Sequence, residues 1–248
     1  MSADRQKSLK FTSEAAEEQK TSEQDEPATK KKPSLGKCSL CGGLFSKAAM
    51  TRHLQNCKPQ ASPAKASARK PVECFHLVVE GGYRGMYWMH VSVAADLPLS
   101  SLDALLRIQW LECCGHLSAF SVNRIRYYSD PPDPGEKGMN VPLHKIVNVG
   151  DKFLHEYDFG STTELRLKVA GRRESADTLA ILARNEPPEI LCNYCNEGRA
   201  ATRVCSECGW EEGRGWVCPW CVDTHECGEE MLLDVVNSPR VGVCGYEG

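Results

Sequence analysis

The sequence lacks any long apolar run. No stretch of its 248 residues approaches the length that crossing a bilayer needs, and residues 1–34 are charged and polar where a secretory signal would be apolar. Without export, the 14 cysteines meet a reducing environment, in which metal binding outweighs disulfide formation. The expectation is a cytoplasmic protein. Acidic residues are missing from 30–70, where Lys30, Lys31, Lys32, Lys37, Lys47, Arg52, Lys58, Lys65, Arg69 and Lys70 are the only charges. Lysine is missing from 189–248, which carries 11 acidic residues and four Arg. Charge segregated in this way implies modules with different partners.

Composition divides the chain further. Residues 1–34 offer almost nothing to bury and read as a disordered head. A Cys/His segment fills 35–58, and a Pro/Ala/Ser/Lys stretch at 59–71 reads as an extended basic linker. From Val72, alternation of Phe75, Leu77 and Val79 with their neighbours predicts a strand ending at Gly81-Gly82, with 86–93 as its hairpin partner. A helix is expected from a Ser101 N-cap, with Leu102, Leu105, Leu106, Trp110 and Cys113 on one face and a stop at Gly115. Strands are expected at 116–122, 151–159 and 164–169. The fold class is therefore α+β: a central domain at 72–184, flanked by two small zinc-stabilised modules. The second module, 189–248, has too little apolar content to stand without staples.

Cys38-x2-Cys41-x11-His53-x3-Cys57 has the spacing of a four-ligand zinc site: a cysteine knuckle, then His53 and Cys57 one helical turn apart. Phe45 and Met50 stand where a ββα finger keeps its core, and Gly42-Gly43 permit the turn after the knuckle. The stretch resembles such a finger with Cys as last ligand, and in that family a helix starting at Ser46 turns Ser46, Ala49 and Arg52 toward bases. Of these only Arg52 is a strong base reader. Lys47, Arg52 and Lys58 are the candidate nucleic-acid contacts, suited to phosphates more than to sequence.

Cys192-x2-Cys195-x9-Cys205-x2-Cys208-x9-Cys218-x2-Cys221-x3-His225-x1-Cys227, with Cys244 beyond, holds three CxxC pairs at equal spacing. Two pairs close one tetrahedral site, so this region suffices for two zinc ions and the whole chain for about three. Equal spacers leave the pairing open between a cross-braced order, first pair with third, and a sequential one, first with second. Gly209 is expected to let backbone N–H groups turn toward the sulfurs. The layout resembles cross-braced modules of the MYND and B-box kind, in which more residues usually separate the last two ligands. Cys244 is accordingly a candidate final ligand beside Cys227. Trp210, Trp216 and Trp220 are either the module's small core or a contact surface for a protein partner.

Residues 109–122, "QWLECCGHLSAFSV", and 139–169, "MNVPLHKIVNVGDKFLHEYDFGSTTELRLKV", carry a further likeness. With Trp110 before His116-Leu117, and Tyr157-Asp158-Phe159-Gly160 entering a strand, they resemble the plasmid Orf-three-like family of the Ri-plasmid type, which includes passenger proteins of insertion elements. The likeness covers about 72–173. It implies an α+β fold, an association with mobile elements and no established enzymatic activity; family members often carry acidic residues and a Trp where this chain has Ser161, Thr162 and Thr163.

Neither a glycine-rich phosphate loop nor a kinase catalytic loop accompanies the Asp-Phe-Gly run. The resulting expectation is a zinc-dependent, non-enzymatic adaptor contacting nucleic acid through 30–70 and a protein through the acidic C-terminal module. The competing expectation is an enzyme of nucleic-acid or mobile-element metabolism with its site near His116, His155 and Asp158.

Overall fold

The computed structural model describes residues 34–57, 70–82, 85–210 and 214–248. The expected head and basic linker lie outside these residues, apart from Ser34, Lys70 and Pro71.

The chain opens with β1 (Leu35–Cys38), β2 (Leu44–Ser46) and the helix α1 (Lys47–His53). β3 (Val72–Gly81) and β4 (Tyr87–Ala94) form the expected antiparallel pair, and α2 (Leu99–Leu106) follows. Next come β5 (Ser118–Val122), β6 (Ile125–Tyr128), β7 (Lys137–Gly138), β8 (Lys152–Tyr157), β9 (Thr163–Ser175) and β10 (Leu179–Asn185). These ten strands make one sheet in the order β2-β1-β10-β4-β3-β9-β8-β5-β6-β7, antiparallel except where β6 meets β7. The architecture is a sheet-dominated α+β arrangement.

Side-chain alternation explains the layers. Along β9, Leu165, Leu167 and Val169 are buried while Glu164, Arg166 and Lys168 are exposed, as one covered face requires. β4 is buried on both faces. Tyr87, Met89, Val91 and Val93 join the main core with Leu99, Leu102 and Leu106 of α2. Trp88, on the other face, packs with Met50, Leu54, Leu182 and Ala183. The finger was expected to keep a core of its own in a separate flanking module. Instead Met50 is wholly buried in a core shared with the sheet, and β1 pairs with β10 as a sheet strand. Gly36 permits this approach: a Cβ there would stand 2.4 Å from the Trp88 ring and 2.5 Å from the Arg184 carbonyl oxygen.

α2 begins two residues before the expected Ser101 cap, with Pro98 as the preceding residue. The backbone explains the shift, because Leu99 N–H donates to Val141 O (2.9 Å) and Ser100 N–H to Met139 O (3.1 Å). Donors that a side-chain cap would serve are thus satisfied by a neighbouring strand-like segment. The helix ends in a π-turn, Arg107–Leu111, closed by Glu112 N–H donating to Arg107 O (2.8 Å). That wider turn lets Trp110 and Leu111 both enter the core and delivers Cys113 and Cys114 to its rim.

Beyond β10 a smaller sheet, β12-β11-β13, is formed by β11 (Arg203–Cys205), β12 (Trp216–Val217) and β13 (Leu232–Asp234). The tail then returns to the main sheet. Arg184 donates to the Asn237 carbonyl, Asn237 and Asn185 exchange two bonds (2.9 and 3.1 Å), and Ser238 Oγ donates to Trp110 O (2.6 Å). Arg240 is fully buried.

Candidate metal centres

Four groups of cysteine and histidine draw their donor atoms to within 4.8 Å of one another: Cys38, Cys41, His53 and Cys57; Cys192, Cys195, Cys218 and Cys221; Cys205, Cys208, His225 and Cys227; and Cys113, Cys114, His116 and Cys244. Each group is able to hold a metal ion. Thirteen of the 14 cysteines fall in these groups, leaving Cys74 in the core. Zinc bonded to sulfur at about 2.3 Å in a tetrahedron sets sulfurs about 3.8 Å apart. The observed sulfur separations include 3.9 Å for Cys38–Cys57, 3.8 Å for Cys195–Cys218 and 3.6 Å for both Cys218–Cys221 and Cys208–Cys227. Such gaps are far beyond a disulfide bond, and none of the 14 cysteines is joined in a disulfide. Thiolate and imidazole donors in fours suit zinc.

In the finger, the β1–β2 turn supplies Cys38 and Cys41, and α1 with its end supplies His53 and Cys57. His53 Nε2 lies 3.3 Å from Cys41 Sγ, and Phe45 stacks on the imidazole at 4.1 Å, fixing its plane. The backbone N–H of Gly43 is the main reason the Cys41 thiol falls below its ordinary range, whereas burial, together with hydrogen bonds to its neighbours, pushes Cys57 up to about 12.

The C-terminal ligands are cross-braced. The first CxxC pair meets the third, and the second meets His225 and Cys227. Physical continuity favours this order: Tyr194, between the first two cysteines, packs edge-on against His225 of the other group at 4.8 Å. Tyr194 N–H points at Cys192 Sγ (3.4 Å) and Cys208 N–H at Cys205 Sγ (3.5 Å). Burial opposes ionisation of Cys192, yet the N–H groups of Tyr194, Cys218 and Cys195 outweigh it and bring the thiol down to about 6. Burial and neighbouring thiols push Cys221 up to about 12. Crowded thiolates repel, and a bound dication would relieve that conflict. The glycine that the second knuckle requires is Gly215 rather than Gly209. It sits at φ +95° with a would-be Cβ 3.0 Å from Gly209 N, whereas a Cβ on Gly209 would meet nothing within 4 Å.

Cys244, expected to compete with Cys227, belongs to neither C-terminal group. Its sulfur lies 3.8 Å from Cys114 Sγ and 3.4 Å from His116 Nε2. From the sequence alone, Cys113 is placed on the apolar face of the expected helix and His116 near the competing enzyme site, and neither counts among the metal ligands. The available signal was a Cys-Cys-Gly-His run one ligand short, beside one cysteine too many in the tail.

The remaining sequence candidates separate. Lys47 pairs with Glu80 at 2.7 Å. Arg52 is exposed in the last turn of α1, and Lys58 lies outside the described residues. His155 is fully buried and bonds Asp103 (2.7 Å), while Asp158 turns to Arg240 (2.7 Å) and lies 3.5 Å from His116. Ser118 and His155 both bond Asp103 Oδ1 at 2.7 Å, out of contact with solvent, so they do not form the nucleophile–base pair of a hydrolase triad. Trp216 is half-buried and Trp220 is 68% exposed, with the Arg199 guanidinium 4.4 Å from its ring. The side chain of Trp210 lies outside the described residues.

No protein-family model and no curated protein matches the chain. Among solved structures it is similar to MM3350, a protein of unknown function from Methanosarcina mazei Go1, at 15% identity and a TM-score of 0.37, covering 42% of this chain and 62% of that one. The chain thus spans less than two thirds of that structure. Among the described residues no helix is long and apolar enough to cross a membrane.

Proposed function

We propose that the protein is a zinc-dependent binding adaptor without catalytic activity, in which closed metal sites are structural and the acidic C-terminal module is the contact surface for a protein partner. The observation that carries this reading is Trp220, held open to solvent beside the cross-braced ligands and framed by Arg199. An exposed Trp next to an Arg is the composition of an interface anchor. Ligand sets with four protein donors leave a metal no open position for substrate, which argues for scaffold over catalysis.

Nucleic acid is the secondary ligand in this proposal. Of the three basic candidates, Lys47 is already paired, which leaves Arg52 and the chain around Lys58 for phosphates.

The test compares zinc-loaded wild type with Trp220→Ala in a cross-linking pull-down, alongside a mobility-shift assay with DNA and RNA at low and high salt. Loss of a discrete cross-linked protein in Trp220→Ala supports the adaptor reading. Identical retention by both, or none by either, refutes it. A salt-insensitive or absent shift removes the nucleic-acid part.

A further inference from the structure

We propose that Cys113, Cys114, His116 and Cys244 form a fourth zinc site, an exchangeable latch that fastens the C-terminal tail to the sheet domain. This inference does not rest on the adaptor reading.

The geometry is that of a ligand set. Sulfur–sulfur distances are 3.7 Å for Cys113–Cys114 and 3.8 Å for Cys114–Cys244, close to the edge of a zinc tetrahedron. His116 Nε2 lies 3.4 Å from Cys244 Sγ and 2.9 Å from Cys114 Sγ; the second separation need open by only about 0.7 Å around a zinc ion.

The site is also supported from behind. Glu112 Oε1 accepts from Gly115 N–H (2.6 Å) and from Tyr157 Oη (3.0 Å), and that same Tyr157 oxygen accepts from the N–H groups of Cys113 (3.4 Å) and His116 (3.3 Å). Arg240 donates to Cys113 Sγ (3.4 Å) and to Asp158 (2.7 Å) while lying over the Tyr157 ring. Partners that orient ligands in this way are what separates a metal site from an accidental cluster. Gly115 at φ +81° lets Cys114 and His116 face the same point. Cys244, at φ +53°, adopts the left-handed conformation that an L residue avoids without cause, and so presents its sulfur to them.

Two properties set this site apart from the other three. Its ligands come from chain positions 128 to 131 residues apart, so the ion joins the tail to the rim of α2. Two of its four ligands, Cys114 and Cys244, are exposed, whereas the other three groups contain no exposed ligand. An accessible ion exchanges with solvent chelators first, and its departure releases the tail end from one anchor. The donor set of three thiolates and one imidazole selects zinc among common divalent ions.

The test is native mass spectrometry of the full chain during a chelator titration, paired with amide hydrogen exchange. Wild type is expected to hold four zinc ions and to lose one before the rest. Cys244→Ser and His116→Ala should each hold three ions from the outset. In both variants exchange at 241–248 should rise while exchange at 203–234 stays unchanged, which also verifies that the C-terminal module remains folded. Three ions in wild type and in Cys244→Ser alike would overturn the proposal. So would four ions in Cys244→Ser, or loss of the fourth ion with no change in tail exchange.

Discussion

Replacing Arg240 by Met isolates the interaction that seats the tail. Arg240 is inaccessible to solvent and donates to Asp158 Oδ2 (2.7 Å), Thr163 Oγ1 (3.0 Å), Ser161 O (3.2 Å) and Cys113 Sγ (3.4 Å). Methionine keeps much of the aliphatic length and removes every donor, leaving the Asp158 carboxylate buried without its cation. Breaking a buried pair from one side costs about 3–5 kcal/mol. For a chain of this size that corresponds to a fall in Tm of roughly 6–20 °C. Asp158 stands at φ +63°, a conformation that Asn also tolerates, so Asp158→Asn removes the charge without new backbone strain. The double variant should then recover part of the loss, with a coupling of about 2 kcal/mol. Equilibrium urea unfolding in excess zinc, followed by fluorescence of the buried Trp88 and Trp110, reads all three variants. A loss under about 1 kcal/mol for Arg240→Met, or strict additivity with Asp158→Asn, would refute the reasoning.

Three other outcomes follow from the geometry. Burial, together with the charge on Arg173, holds His76 at about 4, and burial with the neighbouring His76 holds His90 at about 3; the rings share a bond of 2.8 Å. Both are neutral in the fold and charged when unfolded below about 6.5, so stability is full above that pH and falls as pH drops from 6.5 toward 4, by roughly 2 kcal/mol per imidazole at pH 5. Unfolding curves with zinc in excess should show a shallower slope for His76→Gln; equal slopes would contradict the assignment. Cross-bracing makes Cys195→Ser/Cys221→Ser lose one ion and Cys195→Ser/Cys208→Ser lose two, as counted by native mass spectrometry; sequential pairing would reverse these losses. Gly36→Val should cost about 2 kcal/mol by forcing β1 away from Trp88, and should speed release of the ion held by the finger. A thermal melt and release rate like those of wild type would show that the close approach is dispensable.

The ligands of three sites were legible in the sequence because chelation is local: CxxC and His-x3-Cys place donors within a turn or a knuckle whatever surrounds them. β9 was legible for a similar reason, since period-two alternation registers a covered face, while β3 and β4 were legible as an apolar hairpin punctuated by Gly81-Gly82. Pairing of the three CxxC motifs was not legible, because equal spacers permit both orders, and contacts such as Tyr194 on His225 exist only in the folded module. Strands β6 and β10 escaped because they are short, or carry no clean alternation, and with β10 unforeseen its pairing with β1 was unforeseen too. The finger read as independent because its own residues suffice for a ligand set; only packing of Trp88 on Met50, and space at Gly36, make it part of the sheet. The fourth cluster shows the difference most sharply. Local order determined where Cys113, Cys114 and His116 stand relative to one another, but their partner arrives from about 130 residues away, and nothing in a sequence of such separation states that two segments will meet. Burial of Arg240 against Asp158 is what brings the tail, and with it Cys244, to the rim of α2.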